Sequence, residues 1–416
     1  MYKYIQDSIR NNSRLLLKDL TVPQKKAVTE TIRGLFVRGT PILRHLAQNE
    51  NISAKKQGDK YSYHLGNIQL KEKVEQSALN KVRNHMRKNT IIAYDLTDIN
   101  KAAAKKMEKL SVVFDGSKRK TANGYTLHGL GVNGILLKLE VHEGEKYTQN
   151  QIRRKIVEKY TQKFDLKGIL VIDRGNDDKQ FFTFLRHEQK AQFVARLKSN
   201  RNVVVKETGA IMKVENLPVG KYQVYLMNTH NTNVDLRAVF TLVIYAHINN
   251  EKPPIRLLAS LDHTYSSEEI VHMYLQRWGI ENIFKKVKQK FNLEKIRVLN
   301  YQKFVNLIAL IQFAINVSTV TFIKIQKSTY LLISGVLMHY KNFLKIKALT
   351  FNLDSFISFI KFALKPLIVR CQKDPPRQLN LLSRRQLEKL GPSYHFSLDN
   401  YLPYVKIIVA LNSYLY

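Results

Sequence analysis

Apolar positions recur at helical spacing up to about residue 85, give way to short runs of strand character, and return to helical spacing near residue 300. Thr21-Val22-Pro23-Gln24 reads as a helix start, with a capping threonine and a first-turn proline. Ala27, Val28, Ile32, Leu35 and Phe36 then follow at three- and four-residue steps. A second helix is expected from Pro41, Leu43, Leu46 and Ala47. A third is expected around Leu70 to Met86, after the polar stretch Lys55 to Lys60.

The texture changes near residue 90. Ile91 to Leu96 is a short apolar run with Asp95 near its end, and Ser111 to Phe114 precedes a turn at Asp115-Gly116-Ser117. Gly124 to His128 and Gly134 to Leu139 read as strands of a meander. A helix is expected over Gln149 to Gln162. Gly168 to Ile172 then forms a buried strand that again closes on a carboxylate, Asp173. Asp177 and Asp178 are expected to cap a helix reaching Gln189, and Gln192 to Leu197 is the next strand. Strands with crossover helices make an α/β layer with a carboxylate at two strand ends. From about 200 to 256 the pattern is all-β: Val203 to Val205, Tyr222 to Leu226 and Ala238 to Ile244, punctuated by Asn, Gly and Pro. Arg256 to Leu261 returns to the sheet, and a helix capped by Ser266 or Ser267 runs on through Lys288. The long apolar run from Val305 to Ile325 contains Asn306, Gln312, Asn316, Thr319 and Thr321, so it reads as a buried helix rather than a membrane span. Pro366, Pro375, Pro376 and Pro392 divide the later, helical part.

Charge changes the picture. Of 416 residues, 68 are Lys or Arg and 33 Asp or Glu, a net +35 spread along the whole length. A folded chain this basic points to a polyanion partner. The spread favours nucleic acid over a membrane surface, which would call for one basic amphipathic helix or a polybasic tail. Hydrophobic content of 44% excludes disorder as the default. The single cysteine, Cys371, excludes an internal disulfide and a multi-cysteine zinc site, and suits the cytoplasm. The N-terminus lacks a signal pattern, the twelve histidines lack zinc-ligand spacing, and Gly129-Leu130-Gly131 lacks the rest of a nucleotide-binding loop.

On the helix after Ser266, Tyr274, Arg277, Glu281 and Lys288 fall within an arc of roughly 60° at about 100° per residue, while Leu275, Ile280, Ile283 and Val287 point elsewhere. Glu281 is the only carboxylate between Glu269 and Glu294 and lies among Arg277, Lys285 and Lys288. Such an acid stays ionised, as a metal ligand must. Together with Asp95 and Asp173 it supplies three carboxylates able to converge at the open end of a sheet. That donor set suits two Mg²⁺ ions and in-line phosphodiester chemistry. Arg277 and Lys288 would hold phosphate near the metals.

These residues resemble a family. Tyr274, Arg277, Glu281 and Lys288 match the Y-(2)-R-(3)-E-(6)-K signature of DDE transposases from bacterial insertion sequences, the insertion-sequence-4-like group, with Trp278, Phe284 and Lys285 in register. Ala93 to Ile99 resembles the family's first-aspartate strand and Val171 to Gly175 its second-aspartate block. The resemblance covers about residues 90 to 300. It implies a ribonuclease-H-like α/β core interrupted by a β-rich insertion at about 200–256. Asp95, Asp173 and Glu281 would be the catalytic, metal-binding triad for Mg²⁺, with Mn²⁺ the other candidate. Tyr274, Arg277, Lys288 and Lys285 would contact DNA. The implied organisation is a helical, basic DNA-binding region over 1–88, the catalytic core over 89–300, and a helical region over 301–416 with possible dimer and DNA contacts. The implied partners are terminal inverted repeats, target DNA and a second copy of the chain, with no membrane. A ribonuclease-H-like nuclease without strand transfer, and an inactive DNA-binding descendant, are the rival readings.

Overall fold

The computed structural model describes residues 2–47, 51–115, 120–143, 146–227, 234–246, 253–344, 353–354, 356–358 and 360–361. The turn after Asp115, Cys371 and the prolines from Pro366 onward lie outside them. In chain order the elements begin with α1 (Tyr2–Leu17), α2 (Val22–Arg38), α3 (Ala54–Gly66) and α4 (Lys71–Val82). Next come β1 (Ile91–Asn100), β2 (Ser111–Asp115), β3 (Lys120–Val132), β4 (Ile135–Val141) and α5 (Gln149–Lys163). They continue with β5 (Ile169–Ile172), α6 (Lys179–Thr183, prolonged by a π turn over Phe184–Glu188), β6 (Gln192–Arg196), β7 (Asn202–Val205) and β8 (Ile211–Lys213). The series closes with β9 (Gly220–Met227), β10 (Val234–Tyr245), β11 (Ile255–Ser260), α7 (Ser267–Leu275), α8 (Trp278–Lys290) and α9 (Tyr301–Leu344).

Eleven strands among the described residues form one mixed sheet, in the order β2-β3-β1-β5-β6-β11-β10-β9-β7-β8, with β4 also on β3. Only β1–β5 and β5–β6 are parallel. An antiparallel meander followed by parallel strands reached through helices is a mixed α/β architecture, consistent with a ribonuclease-H-like core. The strands expected between 200 and 256 form and continue this sheet, because β10 pairs with β11 and β11 with β6.

Strand alternation sorts side chains to two faces. Leu170 and Ile172 of β5, with Ile92 and Tyr94 of β1, pack among α5 and α6. Ile169 and Val171 face the other way, against Ile270, Val271 and Tyr274 of α7. On that same face Ala93, Ile99, Tyr125 and Leu127 meet Ile280 and Phe284 of α8 and Phe304 of α9. The first part of α9 is long and apolar enough to cross a membrane, yet 78% of that window is buried in the protein. Its polar residues hold backbone: Asn306 donates to Leu65 and Ile68 oxygens, and Asn316 to that of Leu136.

Two expectations need correction here. The polar stretch Lys55 to Lys60 is not a break but part of α3, whose buried side is Gln57, Gly58, Tyr61 and Leu65. Gly58 lies against the Arg44 backbone, where a Cβ would come within 3.0 Å of Cα, so close approach replaces apolar bulk. The helix expected from Pro41 onward is only a 3₁₀ turn, Leu43–Leu46.

Two buried polar groups join the layers. Lys138 of β4 pairs with Glu75 of α4 at 2.6 Å and with Glu140 at 2.7 Å, while Lys159 of α5 pairs with Glu75 at 2.7 Å. Burial opposes the Lys138 charge, but Glu140 and Glu75 outweigh it and hold the ammonium above its ordinary value. Lys138→Met is expected to cost about 1–3 kcal/mol by removing one of the two cations on buried Glu75 and leaving only the half-exposed Lys159, read as a lower urea midpoint. The second group is a hydrogen-bond chain. His142 Nε2 donates to the Tyr147 carbonyl at 2.9 Å, His128 Nε2 donates to His142 Nδ1 at 3.3 Å, and the Tyr94 hydroxyl donates to His128 Nδ1 at 2.6 Å. Because the carbonyl can only accept, His142 carries a proton on Nε2, and the chain as written places that of His128 on Nε2 as well.

Burial pushes His128 down to about 3. The unfolded chain therefore takes up a proton near pH 6.5 that the folded chain refuses. Stability is full above pH 6.5 and is expected to fall by about 1.4 kcal/mol per unit between 6.5 and 3 from this group alone. His128→Gln is expected to flatten that slope in denaturant titrations across the range.

Candidate active site

The parallel register of β1 and β5 ends at Tyr94 opposite Ile172. The next residue on each strand is an aspartate, Asp95 on β1 and Asp173 just past β5, on strands about 4.8 Å apart. Alternation puts both on the face covered by α7 and α8, in line with Ala93 and with Ile169 and Val171. Asp95 is not at a strand end, as expected, but midway along β1, which continues to Asn100 paired with β3 alone. Asp98, three residues on, has the opposite parity and accepts a bond from the Thr126 hydroxyl at 2.6 Å. Opposite Asp95 stands Gly129, where a Cβ would lie 2.2 Å from the Phe284 ring. That missing side chain lets α8 sit directly on the sheet beside Asp95.

The helix expected over Ser266 to Lys288 is two helices. Ser266 caps α7 in a capping box with Glu269. Around Gln276 and Arg277 the backbone tightens to three-residue bonds, including Arg277 N–H to Tyr274 O at 3.0 Å and Ile280 N–H to Arg277 O at 3.0 Å. The break swings Arg277 inward, where its side chain is 5% exposed. Its Nη1 donates to Asp95 Oδ2 at 2.8 Å, and its Nη2 lies 2.7 Å from Glu281 Oε1 and 3.7 Å from Asp173 Oδ1. The Tyr274 hydroxyl donates to Asp173 Oδ1 at 3.1 Å. One guanidinium thus meets all three carboxylates.

The helix face predicted from spacing is kept in part. Tyr274, Arg277 and Glu281 converge, whereas Lys288 lies two turns farther along α8, about 10 Å, and pairs with Glu294 at 3.5 Å. Lys285 is exposed on α8, and Trp278 is 57% exposed at its start. Asp178 caps α6 by accepting from Phe181 N–H, but Asp177 does not cap: it accepts from Lys198 N–H and pairs with Arg201 at 2.6 Å. Arg196, at the end of β6, places a further positive charge near Tyr274. Nothing in its local sequence marks it; only the strand order brings it there.

The electrostatics are unbalanced. Burial raises Asp95 to about 6, and the attraction of Arg277 and the Leu96 N–H only partly offsets it. Burial also works against Arg277, but Tyr274, Asp173, Asp95 and Glu281 outweigh it and hold the guanidinium above its ordinary value. Three acids around one cation leave a deficit of positive charge at this point of a chain of +35.

A family model described as the transposase DDE domain matches residues 87–317, more than half of the chain. The chain belongs to the DDE transposases. The matched span opens before β1 and closes within α9, so in this transposase it takes in β1, β5, α7 and α8. A comparison with curated proteins finds no match. Among solved structures, a cryo-electron-microscopy piggyBac transposase synaptic complex with hairpin DNA is similar at 12% identity, over 94% of this chain and 81% of that one, with a TM-score of 0.43.

DDE transposases generally use divalent metal ions. Among the described residues no three His, Cys, Asp or Glu are gathered as a ready ligand group. The guanidinium of Arg277 sits between the carboxylates instead. In donor chemistry the cluster fits a hard cation, because all three acids are oxygen donors. Three carboxylates around a single guanidinium also leave net negative charge for such a cation to meet.

Proposed function

We propose that this transposase serves an insertion sequence of the insertion-sequence-4-like group, binding terminal inverted repeats and carrying out Mg²⁺-dependent cleavage and strand transfer. The observation that carries the reading is the meeting of Asp95, Asp173 and Glu281 at Arg277. Asp95, Asp173 and Glu281 would hold the metal. Two Mg²⁺ ions, when bound, supply activation of the attacking water or 3′-hydroxyl and stabilisation of the leaving oxygen.

The protein's own residues do the rest. Tyr274 fixes the orientation of Asp173 through its hydroxyl. Arg277 offsets part of the carboxylates' charge in the resting protein, and its fork has the geometry to hold a phosphate. Trp278 and Lys285 sit exposed on the same helix, and Lys288 extends the positive track along α8. The strands β7 to β10 are read as an insertion between the second aspartate and the glutamate. The helices over 1–88 are read as the DNA-binding region, the region over 301–416 as the place of dimer contacts, and the bacterial cytoplasm as the site of action.

The test uses the full chain, the end DNA of its own element, a supercoiled target plasmid and Mg²⁺, with cleaved and joined products scored separately. Joined product that disappears in Glu281→Gln is expected. Cleavage without joining would favour a ribonuclease-H-like nuclease, and binding without either would leave a non-catalytic descendant.

A further inference from the structure

The face of the sheet that carries Asp95 does not stop where the helices stop covering it. On β3 the residues of that face are Gly129, Leu127, Tyr125, Asn123 and Thr121, by unbroken alternation through the β1 and β2 pairings. Leu127 and Tyr125 are buried, the latter stacked on Phe304 at 4.3 Å between ring centroids. Beyond Tyr125 the strand leaves β1 and runs on as a two-stranded ribbon with β2. There Val112 stands opposite Asn123 and Phe114 opposite Thr121. Val112 is 71% exposed and Phe114 60%. The other side of the ribbon is turned inward, with Val113 3% exposed.

The surroundings are cationic. Lys105 and Lys106 are exposed in the loop that leads into β2, and Lys120 is exposed at the end of β3, on the Val113 side of the ribbon. Of the nearby acids, Glu108 accepts from Tyr301 N–H at 2.7 Å and from Asn300, Glu143 pairs with Lys109, and Asp115 stands opposite Lys120 in the ribbon register. An apolar pair on a positively ringed ribbon is complementary to duplex DNA. A two-stranded ribbon fits a groove, exposed Phe and Val side chains act as wedges between base steps, and lysines meet the phosphates. A second copy of this chain would bring like charge to like charge. Among the described residues of that face the Asn123 amide is spent on the Ala104 carbonyl at 3.1 Å, which leaves the Thr121 hydroxyl as the group able to meet a base edge. Apolar wedges with little base readout beside them bind DNA mainly by its deformability. That suits target DNA better than a specific terminal repeat.

We propose that the β2–β3 ribbon, with Phe114 and Val112 at its exposed face, binds and bends target DNA. The inference rests on the transposase reading above. Eight residues of β3 separate the positions paired with Asp95 and Phe114, about 26 Å, or roughly seven to eight base pairs at 3.4 Å each.

The test compares wild type with Phe114→Ala, Val112→Thr/Phe114→Ala and Lys120→Glu, each checked by its thermal melt. Pre-cleaved element ends are joined to a target plasmid, uncut ends are cleaved in parallel, and binding to a duplex without end sequence is measured. Loss of joining and of duplex binding by about tenfold or more is expected for the double variant, with end cleavage within about twofold of wild type. Equal loss of cleavage and joining, no loss of either, or a change in oligomeric state would overturn the proposal. If wild type joins nothing, the transposase reading fails on its own, and the duplex-binding arm still decides whether the ribbon holds DNA.

Discussion

Asp95→Asn, Asp173→Asn and Glu281→Gln are each expected to lower end cleavage by about a thousandfold or more, with end-DNA binding close to wild type. The substitutions keep shape and hydrogen-bonding oxygen but remove one negative charge from the cluster proposed to hold the cations. Asp95 and Asp173 stand side by side on parallel strands, and Glu281 reaches them only through the break between α7 and α8. The three effects are not expected to add, because removing any one member dismantles the same unit. Asp98→Asn is the matched control: it lies on the opposite face, bonded to Thr126, and is expected to cleave at near wild-type rate. Single-turnover cleavage and a separate binding isotherm for each variant decide the matter.

Arg277→Ala is expected to destabilise the metal-free protein by about 1–3 kcal/mol, because it leaves Asp95, whose side chain is only 15% exposed, without its counter-charge. Asp95 is already raised to about 6 with Arg277 in contact. Arg277→Lys is expected to recover only part of the loss, since a point charge cannot bridge two carboxylates as the fork does. The same reasoning gives a readout independent of catalysis. Mg²⁺ is expected to raise the melting temperature of Arg277→Ala more than that of wild type, because the added cation replaces charge that wild type already has. Thermal melts with and without Mg²⁺ measure this, and equal shifts in the two proteins would count against a shared metal site.

How much of this was legible in the sequence differs by element. Continuous apolar runs such as Ile169–Ile172 and Phe193–Ala195 announced themselves, because strands buried on both faces carry no competing signal. The far half of β1 did not. Asp95, Thr97, Asp98 and Asn100 alternate with Leu96 and Ile99 in a stretch paired on one side only, and such composition reads as the end of a strand. Helix α3 was hidden because Gln57 and Gly58 occupy its buried side. The break at Gln276 contains no proline, and its one glycine, Gly279, falls in a run whose helical spacing continues across it, so spacing suggested one helix and carried Lys288 onto the same face.

The candidate site was legible as residue types and not as partners. Asp95, Asp173, Glu281, Tyr274 and Arg277 could each be singled out from the sequence, yet Arg277 read as a phosphate contact. That it lies between the three acids depends on strand register and on the small residue at Gly129. Arg196 was invisible for the same reason: its neighbourhood is made by sheet order alone.

The most direct measurement is Mn²⁺ binding to the protein on its element's end DNA, followed by electron paramagnetic resonance, with Asp95→Asn, Asp173→Asn and Glu281→Gln alongside. Wild type is expected to take up Mn²⁺ that each substitution weakens by about tenfold or more. Mn²⁺ binding left unchanged by all three would contradict the assignment of these carboxylates as the metal-binding centre of the transposase.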